Sequence, residues 1–518
     1  MNLGRYIRRS AAHNPDAEAV VCGPVRLTYA ELDDLSDRLA TALRGLGLVR
    51  GDRVATLAAN RAELVVTEVA LYKAGLARAP INARLGATEV AHMLCESDAR
   101  VLLTDAAHLE TARVAVPGTA VKTVLGYDGP SDLGPGYAET LDATDAEPVE
   151  VDCAADDAAV LHFTSGSTGK LKAAVQTYGN RLALLRKSVM SADTRIGPGC
   201  RQILAGPVTH ASGMPLMGIF FAGGCAIVLP RWDAEEFLAT VERERATHAF
   251  VVPTMVNTVL ALPTARDHDL SSLRQLIYGA APMSPQRIRE AWELFGPVLS
   301  QGYGCGETTS GVLFLSTEDH RRAIEGEDEE LLLSCGRPLA EAEVRIVDDS
   351  GTPVADGEIG EIVVRGPDVV PGYHNEPDLT AETFRDGWFH TGDLARRRSD
   401  GYVFIVDRKK DMIISGGFNI YAVEVESVLH QHPDVFEAAV VGVPDERWGE
   451  AVKAVVVARD GAALDEAGLI EFCAERLARM KKPRSVDVVT ALPHNPNGKI
   501  DRRAIRERYW ADAERRVH

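Results

Sequence analysis

Residues Thr164-Ser165-Gly166-Ser167-Thr168-Gly169-Lys170-Leu171-Lys172 put two glycines, four hydroxyls and two lysines into nine positions. They follow the apolar run Ala159-Val160-Leu161-His162-Phe163, which reads as a buried strand ending in a turn. A glycine-rich turn at a strand end lets the backbone come close to a ligand, and its N–H groups and hydroxyls donate to oxyanions. Lysine adds a mobile positive charge. The pattern constrains the chain to an α/β arrangement with a phosphate cradle at a strand end; taken alone it also reads as a polar surface loop. It is not a Walker A loop, because Leu171 follows Lys170 and the two glycines stand too close together.

Around this loop helix-like and strand-like segments alternate up to about residue 400, which argues for α/β layers. Leu32–Leu46 and Glu63–Tyr72 have helical spacing, whereas Arg53–Leu57 and Ala99–Thr104 read as strands. The stretch Gly126–Asp157 is rich in Asp, Gly and Pro and reads as surface excursions. Glu358–Arg365 and Tyr402–Val406 are strands of a smaller β-rich region. Beyond the charged run Asp407–Asp411, Ala422–His430 reads as a helix, Phe436–Val443 and Ala451–Val457 as strands, and Leu464–Met480 as an amphipathic helix. At 518 residues more than one domain is expected.

The net charge of −19, from 56 Lys plus Arg against 75 Asp plus Glu, argues against nucleic acid as the partner and against anionic membranes. Eight scattered cysteines without a Cys-x-x-Cys pair suit neither zinc nor a disulfide framework; they read as reduced thiols of a cytoplasmic protein. The first residues carry no apolar signal-peptide core. Gly213–Pro230 is the most apolar stretch, but Pro215 and Gly223-Gly224 interrupt it, so it reads as buried helix, turn and strand rather than a membrane span.

Further segments follow in order: Gly206-Pro207-Val208-Thr209-His210, Gly279-Ala280-Ala281-Pro282, Gln301-Gly302-Tyr303-Gly304-Cys305-Gly306-Glu307-Thr308, Trp388-Phe389-His390-Thr391-Gly392-Asp393, Asp407-Arg408-Lys409-Lys410-Asp411, Ser415-Gly416-Gly417-Phe418-Asn419-Ile420 and Pro496-Asn497-Gly498-Lys499-Ile500. With the loop at 164–172 they resemble, over nearly the whole chain, the adenylate-forming superfamily of acyl-CoA synthetases, luciferases and peptide-synthetase adenylation domains. Leu27-Thr28-Tyr29-Ala30-Glu31-Leu32 and Gly51-Asp52-Arg53-Val54 look similar to it as well.

The resemblance implies a large multi-layer N-terminal domain of sheets flanked by helices (1–407), a hinge (408–411) and a small mobile α+β lid domain (412–518). It implies ATP- and Mg2+-dependent conversion of a carboxylic acid to an acyl-adenylate, then transfer to the CoA thiol. The alternative is an adenylating ligase with a non-CoA acceptor: a carrier-protein thiol or an amine, including nitrite-activating, diazotase-type chemistry.

Residue by residue, the resemblance assigns ATP and AMP binding to Thr164, Ser165, Gly166, Ser167, Thr168, Gly169 and Lys172, with Gly304 and Thr308. Gly279, Ala280 and Ala281 let adenine approach, and Tyr303 offers it an aromatic face. Asp393 holds the ribose with Arg408. Glu307 is the Mg2+ ligand, Lys499 bridges carboxylate and α-phosphate, and His210 lies beside the acid. Lys410 is the hinge; Gly416 and Gly417 line a pantetheine tunnel; Lys481, Lys482 and Arg484 meet the phosphates of CoA. Judged singly, each has an ordinary reading too: a solvated glutamate or lysine, a packed tyrosine, a structural histidine, a surface ion pair.

The chain departs from the pattern at three positions. Leu171 stands for a proline, Ala173 for a glycine, and Gly306 for the threonine that donates to a phosphate; Thr308 or Thr309 is the expected substitute donor. Acid-pocket walls are expected from His210–Met217, Val252–Val256, Tyr278–Ala280 and Tyr303–Cys305. Their apolar character argues for aliphatic or aryl acids over amino acids.

Overall fold

The computed structural model describes residues 1–165, 171–190, 196–445, 447–459, 461–495 and 499–510. Among them the strands form four sheets, of nine, six, five and five strands. In the six-stranded sheet, strands Thr123–Gly126, Val101–Thr104, Arg53–Leu57, Ala77–Ile81 and Ala158–Ser165 run parallel. The hairpin partner Leu171–Thr177 closes its edge antiparallel. The nine-stranded sheet has a parallel centre that includes Arg201–Leu204, His248–Val251, Gln275–Gly279 and Leu299–Gly304.

Burial on both faces marks the parallel strands, since helices cover both sides of such sheets. Val101–Thr104 and Ala77–Ile81 are buried at every position. Helix Ala62–Ala74 is buried all round, and its one cation, Lys73, meets Asp33 at 2.5 Å and Asp37 at 3.1 Å, as a buried charge must. The segment Leu27–Leu32 has a local physical reason. Thr28 caps helix Tyr29–Gly45, its hydroxyl accepting from Glu31 N–H (3.2 Å) while the Glu31 carboxylate accepts from Thr28 N–H (2.8 Å).

The third sheet contains Glu343–Val347, Ile359–Arg365, Trp388–Arg397 and Val403–Arg408. The fourth, with Ile413–Ser415, Phe418–Ile420, Val435–Asp445, Gly449–Ala458 and Ser485–Val489, packs helices Ala422–Leu429 and Glu466–Ala474 over a core of its own. The fold is thus α/β with a large, layered N-terminal part and a smaller α+β C-terminal part. The apolar stretch 213–230 is helix Leu216–Phe221, a turn, and strand Cys225–Val228. No described helix is long and apolar enough to cross a membrane.

Two expectations need correction. Gly126–Asp157 is not a set of surface excursions: it includes helix Tyr137–Asp142, and Tyr127, Tyr137, Leu141 and Val149 are buried in one cluster. Its apolar residues are too widely spaced to leave a periodic signature. The helix expected over Leu464–Met480 spans only Glu466–Ala474. The chain must turn there so that Ser485–Val489 pairs parallel with Gly449–Ala458, and Lys481 joins Glu424 at 2.8 Å on the way.

Candidate active site

Ligands of open parallel sheets bind beyond the carboxyl ends of the strands, and the predicted segments gather there. Strand Ala158–Ser165 ends just before residues 166–170, Gln275–Gly279 at Ala280-Ala281, and Leu299–Gly304 at the short helix Gly306–Thr308 that carries Glu307. These ends line one cavity of about 1490 Å³ that also receives Asp393, Arg408, Lys410 and Lys499 from the third and fourth sheets and the loop beyond them. The calls on Gly166, Ser167, Thr168 and Gly169, and on the side chain of Ser165, lie outside the described residues, as do Asn497 and Gly498.

Glu307 is 7% exposed, and its contacts with Tyr373, Thr164 and Lys172 fall on one carboxylate oxygen. Oε1 accepts from Tyr373 Oη (2.9 Å) and Thr164 Oγ1 (3.3 Å) and stands 3.9 Å from Lys172 Nζ. Lys172 lies over the Tyr373 ring, 3.8 Å from its centroid, a cation–π contact; burial lowers its pKa and the neighbouring Glu307 opposes that. Behind this wall, Gln176 Nε2 donates to Gly306 O (3.1 Å). Gln176 in turn joins a buried set of Arg181, Glu68 and Arg78.

A second knot forms on the third sheet. Asp393 and Arg408 face each other in register on neighbouring antiparallel strands. Arg408 Nε donates to Asp393 Oδ1 (3.1 Å) and Tyr303 Oη to Asp393 Oδ2 (2.6 Å). The carboxylate retains lone pairs for further donors. Ala280 has φ +69°, an uncommon conformation for a residue with a side chain and one that gathers at functional sites.

Lys499 reaches the cavity differently. Its loop is pinned by backbone contacts: Asn495 N–H donates to Lys499 O (2.8 Å) and Lys499 N–H to Asn495 Oδ1 (3.0 Å). Burial lowers the pKa of its ammonium and Arg408 adds to that, while Cys305 and Asp393 oppose it. His210 feels the Lys499 charge as well; burial above all, then Arg78 and Lys499, push it down to about 4. Its Nδ1 lies 2.9 Å from Thr209 Oγ1.

The structure gives several glycines a reason other than the one expected. A Cβ on Gly279 would fall 2.4 Å from Gly302 O of the adjacent strand, so this glycine serves strand packing. A Cβ on Gly416 would fall 2.4 Å from the Trp448 ring, whereas Gly417, at φ +81°, has nothing within 4 Å. The substitute donor is also absent: Thr308 Oγ1 donates to Ser310 O (2.6 Å) and Thr309 Oγ1 to Asp368 O (2.6 Å). Tyr278, expected as a wall of the acid pocket, does not line the cavity; it is buried and meets His320 Nε2 at 2.9 Å. The expected walls at Met214, Val252, Met255 and Cys305 do line it. Sequence reasoning missed Tyr373 as a partner of Glu307 and His162 as a cavity residue. For His162 one signal existed, a lone imidazole in an otherwise apolar strand.

Comparison with known proteins bears on this site. The AMP-binding enzyme family matches residues 7–374, and the AMP-binding enzyme C-terminal domain matches residues 424–499. A feruloyl-CoA synthase of an Amycolatopsis species is 41% identical over 509 residues, covering 98% of this chain and 99% of the relative. A medium/long-chain fatty-acid–CoA ligase of Mycobacterium tuberculosis is 37% identical over 510 residues, covering 96% and 88%. Among solved structures, the amide bond synthetase McbA from Marinactinospora thermotolerans superposes with a TM-score of 0.88 at 33% identity, covering 98% of this chain and 99% of that one.

Proposed function

The chain belongs to the AMP-binding enzymes of the adenylate-forming superfamily, and on that premise we propose how its site works. The chain is an acid–thiol ligase. A carboxylate oxygen attacks the α-phosphorus of ATP, pyrophosphate leaves, and the acyl-adenylate then passes its acyl group to the CoA thiol with release of AMP. The observation that carries this reading is convergence: Glu307, the Asp393–Arg408–Tyr303 knot and Lys499 come from three distant segments to one cavity.

Each group has a task that its chemistry suits. Lys499 neutralises charge between the carboxylate and the α-phosphate, where desolvation strengthens its field. Asp393 accepts from the ribose hydroxyls, held by Tyr303 and Arg408. Thr164 and Lys172, with the loop 166–170, meet phosphate oxygens. Gly304 and Thr308 belong to the same nucleotide-binding turn, and Ala280 and Ala281 border the adenine. His210 stays neutral beside the acid. Glu307 fits a magnesium ion, because that ion takes one or two carboxylates plus phosphate oxygens and waters, and the contacts on Oε1 leave Oε2 available. Bound there, the ion would draw charge from the phosphates.

We extend the proposal to the parts 1–407, 408–411 and 412–518, with Lys410 in the hinge. Support comes from the third sheet ending at Arg408 and the fourth beginning at Ile413. Gly416 and Gly417 then line the thiol path. The acid is apolar, aliphatic or aryl, given Met214, Val252 and Met255 in the wall. CoA is the acceptor we favour, from the CoA ligases among the relatives. McbA and a fatty acid–[acyl-carrier-protein] ligase of Streptomyces coeruleorubidus, 34% identical, keep amine and carrier-protein acceptors as the second reading. The eight free cysteines fit a reducing cytoplasm.

The test is a mass-spectrometric product assay with ATP and Mg2+ over fatty, aryl and small acids and nitrite, each with and without CoA. Thioester that forms only with CoA is the expected result. AMP without thioester would move the assignment to a non-CoA acceptor.

A further inference from the structure

Gly306 and His162 compete for one volume. A Cβ on Gly306 would lie 2.4 Å from His162 Cδ2, 2.8 Å from Thr164 Cγ2 and 3.1 Å from His162 Nε2. The imidazole reaches this place from strand Ala158–Ser165 on the same face as Thr164, the residue that donates to Glu307. Leu161 and Phe163 between them enter an apolar core on the other face.

His162 is 8% exposed and lines the cavity. Its ring stands edge-on to His210, with centroids 5.5 Å apart. Among the described residues no hydrogen bond is made by either ring nitrogen, and the ring lies on the cavity wall, where a ligand can reach it. Burial, reinforced by the charges of His210 and Arg78, pushes its pKa down to about 3. At neutral pH the ring is therefore an uncharged imidazole with one N–H to give. Meanwhile a hydroxyl is missing at 306, and those of Thr308 and Thr309 are committed to backbone carbonyls.

Resting on the adenylation reading above, we propose that His162 contacts substrate: through the space that Gly306 leaves open, it donates an N–H to an anionic oxygen where acid and nucleotide meet, in place of a hydroxyl at 306. The oxygen belongs to the acid's carboxylate or to the α-phosphate. His162 and Gly306 act as one exchanged pair.

Calorimetric titration of the full chain with two unreactive probes tests this: AMP, and 5′-O-(N-benzoyl)sulfamoyl adenosine, which mimics an acyl-adenylate. His162→Ala should weaken binding about tenfold to a hundredfold, the range for a hydrogen bond to a charged group. Loss for both probes assigns the contact to the phosphate, and loss for the acyl mimic alone assigns it to the carboxylate. His162→Asn, which keeps a donor, should recover part of the loss and guards against an unfolded alanine variant. Gly306→Thr alone should bind poorly because it collides with the imidazole. The double variant Gly306→Thr/His162→Ala should bind about tenfold better than Gly306→Thr, since the imidazole is gone and only the Thr164 methyl, 2.8 Å away, must give way. Two results overturn the inference: His162→Ala binding both probes within twofold of the parent, or a double variant no better than Gly306→Thr. A parent protein that binds neither probe would instead overturn the adenylation reading, and this inference with it.

Discussion

The two sides of the cavity are built by opposite rules. On the N-terminal side Glu307 and Asp393 are locked by short contacts from residues far away in sequence: Tyr373 and Thr164 on one, Tyr303 and Arg408 on the other. On the C-terminal side Lys499, among the described residues, is held through its main chain, by the Asn495 N–H and the Asn495 side-chain oxygen. A preorganised wall is suited to stabilising charge without rearrangement. A lysine carried on a loop is suited to arriving for one step and leaving for the next.

The contrast breaks most sharply at Lys499. Lys499→Ala should lower adenylate formation by about a hundredfold to a thousandfold, the usual loss for one charge-stabilising donor. Thioester formation from preformed acyl-adenylate should stay within a few fold; stopped-flow and quench assays of the two half-reactions separate them. Equal losses in both would mean that the lysine is as permanent as the wall. Next comes Glu307→Gln, expected to cost about a hundredfold in adenylation, because the amide oxygen still accepts from Tyr373 and Thr164 but an uncharged NH2 replaces the oxygen that would hold a magnesium ion. Its titration with Mg2+ should no longer change ATP affinity. Tyr303→Phe is a milder probe. It removes one donor from Asp393 and should raise the KM for ATP by about tenfold, with the KM for the acid unchanged.

The smallest effect concerns stability. The imidazoles of His162, His210, His248 and His320 are neutral, pushed by desolvation to about 3, 4, 4 and 4. Their folded pKa values lie below the unfolded value, so the unfolded chain binds more protons between about pH 6.5 and 4. Stability is lost as pH falls through that window, by about 1 kcal/mol per histidine at pH 5.5. Melting temperatures at pH 7.5 and 5.5 should differ accordingly. His320→Gln, which lies off the cavity wall, should reduce the difference by about a quarter, whereas adenylation above pH 6 should show no titration of His162 or His210.

The same contrast explains what the sequence disclosed. The strand Arg53–Leu57 was legible to the residue because a β-branched, largely apolar run follows the turn at Gly51-Asp52, and the site segments were legible because glycines, hydroxyls and charges crowd into short stretches. Tyr373 and Glu307 are 66 positions apart, and Thr164 and Glu307 are 143 apart. Nothing local marks such pairs. The end of helix Glu466–Ala474 was illegible for a related reason, since pairing of a later strand overrode the helical pattern. Gly306 was visible as a departure, but its cause, an imidazole from a strand some 140 positions earlier, needed three dimensions.

Asp407 carries one more consequence. Its carboxylate, pushed up to about 6 by burial, accepts from the N–H groups of Arg408 and of Ala422, so it staples chain on both sides of 408–411. Any swing of the C-terminal part must first release a buried N–H from a buried anion. In the hinge proposed above, that motion would open in discrete events with a barrier of its own, not as a continuous wobble, and the dwell time in each orientation would be a property of the chain rather than of its substrates.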